Sequence, residues 1–292
     1  MATQADIAYH YDVANDFYEA FLDKEHRAYS CGVWKAAKTL EEAQTAKLDR
    51  LCRYAHVVPG DRILDVGCGW GGLMHHAVAR FGATSAHGLT LSRNQYDHVH
   101  ANATPSISVE LCSWADFKPA SPPYDAIISV GAFEHFASME DRRIQRQRDV
   151  YRRFFEWCQD VSSTDAYIGL QTIVSARTPQ NTTEVRDTRY LLERVFPGSA
   201  LPSISDIQAA TLDLYEISSS RRIGLDYAHT LKHWNERLLG SRPFIVANYG
   251  EAVFEHYRTY FQSAIRSFQS GVVDLFQVSL KRATTTRQSG KR

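Results

Sequence analysis

The sequence predicts a doubly wound α/β domain with an N-terminal helical cap and an inserted lid. Three observations predict it. A glycine-rich turn, Asp65-Val66-Gly67-Cys68-Gly69-Trp70-Gly71-Gly72, lies between a short apolar strand and a helix, the opening unit of such a fold. Short apolar strands then alternate with helical stretches, as parallel β-α-β units require. Finally, Tyr124-Asp125-Ala126-Ile127-Ile128-Ser129-Val130 is nearly all apolar, as a central parallel strand buried on both faces must be.

The elements follow in order. Residues 1–55 carry aromatics such as His10, Tyr11, Phe17, Tyr18 and Phe21 at helical spacing and read as the cap. Thr39 with Glu42 three residues on has the spacing of a capping box and starts a helix. Core strands are expected at 63–66, 85–89, 107–111, 124–130 and 166–173, within a cofactor-binding core of residues 56–175. Pro179, Asn181, Pro197, Gly198 and Pro202 punctuate the next stretch, so residues 176–245 read as a lid insertion and substrate pocket. The chain returns to the core through 212–217, a long helix at 246–269 and a last strand at 272–280, the last two within the C-terminal return of residues 246–292. The polar tail from Thr284 is expected to fray. All 292 residues form one domain in this reading.

Bulk composition excludes several roles. Lys plus Arg and Asp plus Glu number 33 each, which removes a general electrostatic case for nucleic acid. The cysteines Cys31, Cys52, Cys68, Cys112 and Cys158 are odd in number and form no Cys-x-x-Cys pair. They suit a reducing cytoplasm better than a disulfide framework or a structural zinc. The first residues lack a basic or apolar leader pattern, and no apolar run approaches the ~20 residues that cross a bilayer. The expectation is a cytoplasmic protein.

The glycine turn carries the chemistry. Its backbone must adopt φ values that a Cβ blocks and must pass close to a ligand. Its spacing, Gly-x-Gly-x-Gly with Asp65 two residues upstream, differs from the dinucleotide fingerprint that seats a pyrophosphate on a helix. An acid there suits a ligand with a cationic amine, as S-adenosylmethionine has. The histidines do not suggest a metal: His75 and His76 are adjacent and His98 and His100 two apart, so neither pair shares a helix face.

Five motifs resemble the cyclopropane fatty acid synthases and mycolic acid methyltransferases. They are Tyr29-Ser30-Cys31 after a His-Tyr-Asp stretch, followed by Thr39-Leu40-Glu41-Glu42-Ala43-Gln44; Gly67-Cys68-Gly69-Trp70-Gly71; Leu89-Thr90-Leu91-Ser92-Arg93-Asn94-Gln95; Gly131-Ala132-Phe133-Glu134-His135-Phe136; and Phe196-Pro197-Gly198. They occur in the family's order over about residues 8–280. The resemblance implies a Rossmann-like class I methyltransferase with S-adenosyl-L-methionine as methyl donor. It places the cofactor against Tyr29, Ser30, the run from Asp65 through Gly67, Cys68, Gly69, Trp70 and Gly71 to Gly72, then Thr90, Leu91, Ser92, Gln95, Trp114 and Ala115. No carboxylate stands at the end of the second strand, where many nucleotide folds bind ribose. Thr90, Ser92 and Gln95 would supply that hydrogen bonding. Trp114 suits either the adenine face or the core.

In that family a methyl group passes to an alkene carbon and a base then removes a proton. The resemblance implies a bicarbonate ion as base, held by a Cys, a Glu, a His, an Ile backbone and a Tyr. Cys31, Glu134 and Tyr227 occupy three of these positions, whereas Gln171 stands for the histidine and Phe276 for a C-terminal cysteine. A Gln donates hydrogen bonds but cannot become cationic, which puts the bicarbonate in doubt. Glu134, just past the fourth strand, is the main catalytic candidate, able to stabilise charge or accept a proton directly. Tyr227, Cys31, Gln171 and His135 support it.

The expected reaction is C-methylation of an electron-rich carbon on a hydrophobic natural-product or lipid-like substrate. Cyclopropane formation on an acyl chain and N- or O-methylation of a small molecule are the alternatives within catalysis. A cofactor-binding cyclase or a non-catalytic binding protein is the alternative outside methyl transfer. The basic run from Arg142 to Arg153 reads as one helix, either solvated or docking an acidic carrier or anionic membrane. Oligomeric state is not legible.

Overall fold

The computed structural model describes residues 14–119 and 123–284. His10 and Tyr11 of the expected cap, and the tail beyond 284, lie outside them. Seven strands form one sheet in the order β3-β2-β1-β4-β5-β7-β6. They are β1 (Arg62–Val66), β2 (Ser85–Thr90), β3 (Ile107–Leu111), β4 (Tyr124–Val130), β5 (Ser162–Ser175), β6 (Tyr215–Arg222) and β7 (Val273–Arg282). Strands β1 to β5 run parallel, and β7 inserts antiparallel between β5 and β6.

Around the sheet lie α1 (Asn15–Glu19), α2 (Leu40–Tyr54), α3 (Gly72–Phe81), α4 (Arg93–Ala101), α5 (Met139–Arg143) and α6 (Gln147–Val161). Beyond β5 come α7 (Thr182–Tyr190), α8 (Ile204–Thr211), α9 (Gly224–Gly240), α10 (Arg242–Tyr249) and α11 (Glu251–Ser270). Thr39 caps α2 as expected, accepting from the Glu42 backbone N–H. The Glu42 carboxylate instead takes the Lys38 N–H at 2.6 Å, one residue outside the reciprocal capping-box position.

Three clusters make the core. One face of the sheet packs Leu48, Leu51, Ile63, Met74 and Val99, and the other packs Phe133, Tyr151, Phe154, Ile168 and Ile207. The third, aromatic cluster joins Phe17, Tyr18, Phe21, Trp234, Tyr257 and Phe261, so α1 sits on α9 and α11. These rings meet mostly edge to face, as Phe17–Tyr18 and Phe21–Phe261 do, an arrangement that adds attraction beyond area burial.

The structure differs from the expectations in three places. The single helix expected at 246–269 is two helices, because Gly250 takes φ +86° between α10 and α11. The stretch 176–245 is mostly regular structure, including edge strand β6 and the 17-residue α9. The arginine run is not one helix either: Gln145 at φ +57° separates α5 from α6. Within that run Arg143 pairs with Glu140, Arg148 with Asp206 and Arg152 with Glu156. Among the described residues no helix is long and apolar enough to cross a membrane.

Candidate active site

Two cavities meet at the carboxyl edge of the parallel strands, where open α/β sheets bind ligands. The first, of about 160 Å³, is lined by the ends of β1, β2 and β4 and by the loop around Tyr29. Its geometry starts with the glycine turn. Gly67, Gly69 and Gly71 take φ of +84°, +56° and +84°, conformations that L side chains rarely adopt. The turn also has no room on one side, since a Cβ on Gly67 would meet Ala132 Cβ at 2.4 Å and one on Gly72 would meet the His26 carbonyl oxygen at 2.3 Å.

Of the sequence-derived cofactor residues, Tyr29, Ser30, Asp65, Gly67, Cys68, Gly69, Trp70, Gly72, Thr90, Leu91, Gln95 and Trp114 line this cavity. Gly71, Ser92 and Ala115 do not. Gly71 is the N-cap of α3 and Ser92 that of α4, its hydroxyl accepting from the Gln95 N–H; Ala115 faces solvent. The Thr90 hydroxyl donates to Gln95 Oε1 at 2.8 Å, which leaves the Gln95 amide as the donor. Trp114 packs on Phe136 and Phe154 while lining the cavity. Trp70 donates to Asn15 Oδ1 at 2.9 Å, pinning α1 to the glycine turn. Burial raises the Asp65 carboxyl to about 7, so a ligand ammonium would restore its charge.

Sequence reasoning missed His26, Arg27, Lys47 and Ser113, which also line the cavity. For Lys47 a signal existed: Leu40, Ala43, Gln44, Lys47, Leu48 and Leu51 share one buried helical face, an unusual place for a lysine.

The second cavity, of about 70 Å³, is almost wholly apolar, walled by Ile173, Leu191, Phe196, Leu231, Ala264 and Phe268 with Glu134, His135 and Tyr227 among its polar members. His135 lines both cavities, and a hydrogen bond joins Tyr29 of the first to Tyr260 of the second. Glu134 is 2% exposed. Its oxygens accept from the Thr172 hydroxyl at 2.9 Å and the Ile173 N–H at 3.4 Å, yet burial raises its carboxyl to about 7. His135 Nδ1 meets Ser199 Oγ at 2.9 Å, and burial lowers the ring to about 4, so it is neutral near pH 7. Tyr227 packs its ring on Phe268.

Cys31 and Gln171 line neither cavity. The Cys31 thiol donates to the Gly32 carbonyl, and burial pushes it well above the ordinary thiol range. Gln171 belongs to a buried chain. Arg50 donates to Gln277 Oε1 at 2.9 Å, Gln277 Nε2 donates to Gln171 Oε1 at 2.7 Å, and Gln171 Nε2 reaches the Cys31 carbonyl at 3.5 Å. A guanidinium can only donate, so Arg50 sets the direction of every amide in the chain. The bicarbonate implied by the resemblance therefore does not fit. Two of its expected holders, Cys31 and Gln171, line neither cavity and are bonded elsewhere, no Lys or Arg lines the second cavity, and Glu134 would repel an anion once ionised.

A mixed sheet in this order, with β7 antiparallel between β5 and β6 and a glycine turn after a buried acid at the edge of the cavity, defines a class I S-adenosylmethionine-dependent methyltransferase. The model of the mycolic acid cyclopropane synthetase family matches residues 1–278, and the chain belongs to that family. It is 32% identical to Cyclopropane mycolic acid synthase 1 of Mycobacterium tuberculosis over 95% of this chain and 97% of that protein. Among solved structures, the cyclopropane synthase MmaA2 of M. tuberculosis superposes with a TM-score of 0.87 at 30% identity, covering 96% of this chain and 99% of that one. The mycolic acid cyclopropane synthase CmaA1, complexed with SAH and CTAB, gives 0.84 at 32% identity, covering 95% and 98%. The chain binds S-adenosylmethionine and is an enzyme that transfers its methyl group.

Proposed function

We propose that the acceptor is an electron-rich carbon, most simply an alkene, on a hydrophobic acyl or natural-product chain. The observation that carries this reading is the second cavity, apolar on nearly every side and touching the cofactor cavity at His135. A long apolar substrate gains there by leaving water. The cofactor supplies an electrophilic methyl group. The protein excludes water, keeps His135 neutral, and holds the Glu134 carboxylate where positive charge develops and a proton leaves. Loss of that proton gives either a methyl branch or a cyclopropane. Both products add one CH2, so NMR of the labelled product separates them.

Narrowing the cavity tests the acceptor assignment. Ala264→Leu adds volume to the wall and is expected to lower kcat/KM for an alkenyl lipid roughly tenfold. Affinity for S-adenosylhomocysteine, measured by calorimetry, stays within about twofold. Unchanged kinetics on every apolar acceptor would place the substrate elsewhere.

A finer reading concerns where such substrates are met. Arg142, Arg146 and Arg153 are exposed and suit an anionic lipid surface, each such charge contributing roughly 1 kcal/mol. Replacing all three by Glu is expected to abolish co-sedimentation with phosphatidylglycerol vesicles. A wild-type protein that stays in the supernatant at low salt overturns the reading.

A further inference from the structure

The two oxygens of Glu134 are not equivalent. Oε2 takes the Thr172 hydroxyl at 2.9 Å, whereas Oε1 takes the Ile173 N–H at 3.4 Å, beyond the usual range for such a bond. Oε1 is also the oxygen on the cofactor side. Gly131 lines the cofactor cavity, and a Cβ built on it would lie 3.8 Å from Oε1. The loosely held oxygen therefore faces the place where the methyl group is delivered.

Thr172 lies on β5 and is fully buried. Its hydroxyl has one proton and two acceptors in reach, Glu134 Oε2 and the Ile173 carbonyl at 3.2 Å. An ionised carboxylate draws that proton more strongly than a carbonyl does. When the carboxyl is neutral the Ile173 carbonyl competes, so the donor keeps a partner in both states.

The other groups around Glu134 supply no positive charge. His135, on the same turn, is neutral near pH 7. Tyr151 of α6 and Tyr260 of α11 are both raised by burial, and Tyr227 of α9 lines the same cavity. Burial raises the carboxyl, and hydrogen bonds from its own backbone, Thr172 and Ile173 oppose that rise. Among these donors, Thr172 is the one a side-chain substitution removes.

We infer that Thr172 is a positioning residue for methyl transfer, its hydroxyl anchoring Oε2 so that Oε1 accepts the proton the methylated substrate loses. In that step a substrate C–H bond breaks, its electron pair stays with carbon and quenches the cation, and the proton passes to Oε1. The inference rests on the reading of Glu134 as proton acceptor.

Infrared titration of the Glu134 carboxyl tests it, with the band identified by its absence in Glu134→Gln. Thr172→Val keeps the shape and removes the donor, and its carboxyl midpoint is expected to rise by about one pH unit. Thr172→Ser restores the donor and should titrate like wild type. Turnover of dioleoylphosphatidylglycerol vesicles with labelled S-adenosylmethionine should fall roughly tenfold at pH 7 in Thr172→Val and recover towards pH 9, with KM unchanged. The infrared comparison needs no acceptor, so it decides the inference even where that lipid is not turned over. An unmoved titration in Thr172→Val would overturn the inference. So would a turnover loss equal at every pH, or a Thr172→Ser variant that behaves like Thr172→Val. Should Thr172→Val fail to fold, Thr172→Cys, a weaker donor, carries the same comparison. Glu134→Gln that still turns over near the wild-type rate would overturn the proton-acceptor reading itself. An inactive Glu134→Gln beside an unmoved Thr172→Val titration would overturn the role of Thr172 alone.

Discussion

Glu134→Gln is expected to lower methyl transfer on the order of 10³-fold, within the range seen when a positioned acid–base group is removed. S-adenosylhomocysteine affinity should change by less than about twofold, because Glu134 lines only the acceptor cavity. The fold should survive, since a Gln Oε1 can still accept from the Thr172 hydroxyl. The pH dependence follows from the carboxyl raised to about 7. Between about 4.5 and 7 the native state holds a proton that the unfolded chain releases, so this group costs stability as pH rises through that window. Glu134→Gln removes the cost and should melt at or above the wild-type temperature at pH 8. Wild-type turnover should rise with pH through about 7, as the carboxylate able to accept a proton forms. Turnover of the variant within tenfold of wild type would remove Glu134 from the chemistry.

Gly67→Ala is expected to damage both cofactor binding and stability. Gly67 sits at φ +84°, where a Cβ costs roughly 1–2 kcal/mol. That Cβ would also lie 2.4 Å from Ala132 Cβ, so one of the two backbones must move. Neither can move quietly. The Gly67 N–H donates to the Leu89 carbonyl at 2.9 Å, and Ala132 leads directly into the single turn Phe133–His135 that carries Glu134. Cofactor affinity is expected to fall at least a hundredfold, with turnover falling alongside it, and the melting temperature should drop by several degrees. Wild-type affinity in a calorimetric titration would show that the turn relaxes without consequence.

The parts of the fold that were legible are those written in local sequence. Strand β3 begins and ends with its apolar–polar alternation and β4 with its apolar run, and the glycine turn announces the ligand edge through its spacing alone. Glu134 was legible because it follows a buried strand at that edge. What stayed hidden depends on distant pairing. Nothing near Val273 says that β7 slides between β5 and β6, and nothing near Gln171 shows that its partner is Gln277, 106 residues away. The Gln171 side chain is engaged by that pairing, which the resemblance alone could not reveal. Helix α9 was legible in principle, with Tyr227, Ala228, Leu231, Trp234 and Leu238 on one buried face. The prolines before it drew attention to a loose insertion.

The position of β7 also sets an order of assembly. Strand β6 is made well before β7, yet it touches the sheet only through β7. Until residues 273–282 leave the ribosome, β5 presents an open edge of unpaired N–H and C=O groups, a surface prone to intermolecular pairing. The contacts that close it span a long loop, and such contacts form late and slowly. The Gln277–Gln171 bond forms in the same event. The wall behind the acceptor cavity is thus completed only when the sheet itself is finished, and a nascent chain carries its glycine turn long before it has a place for substrate.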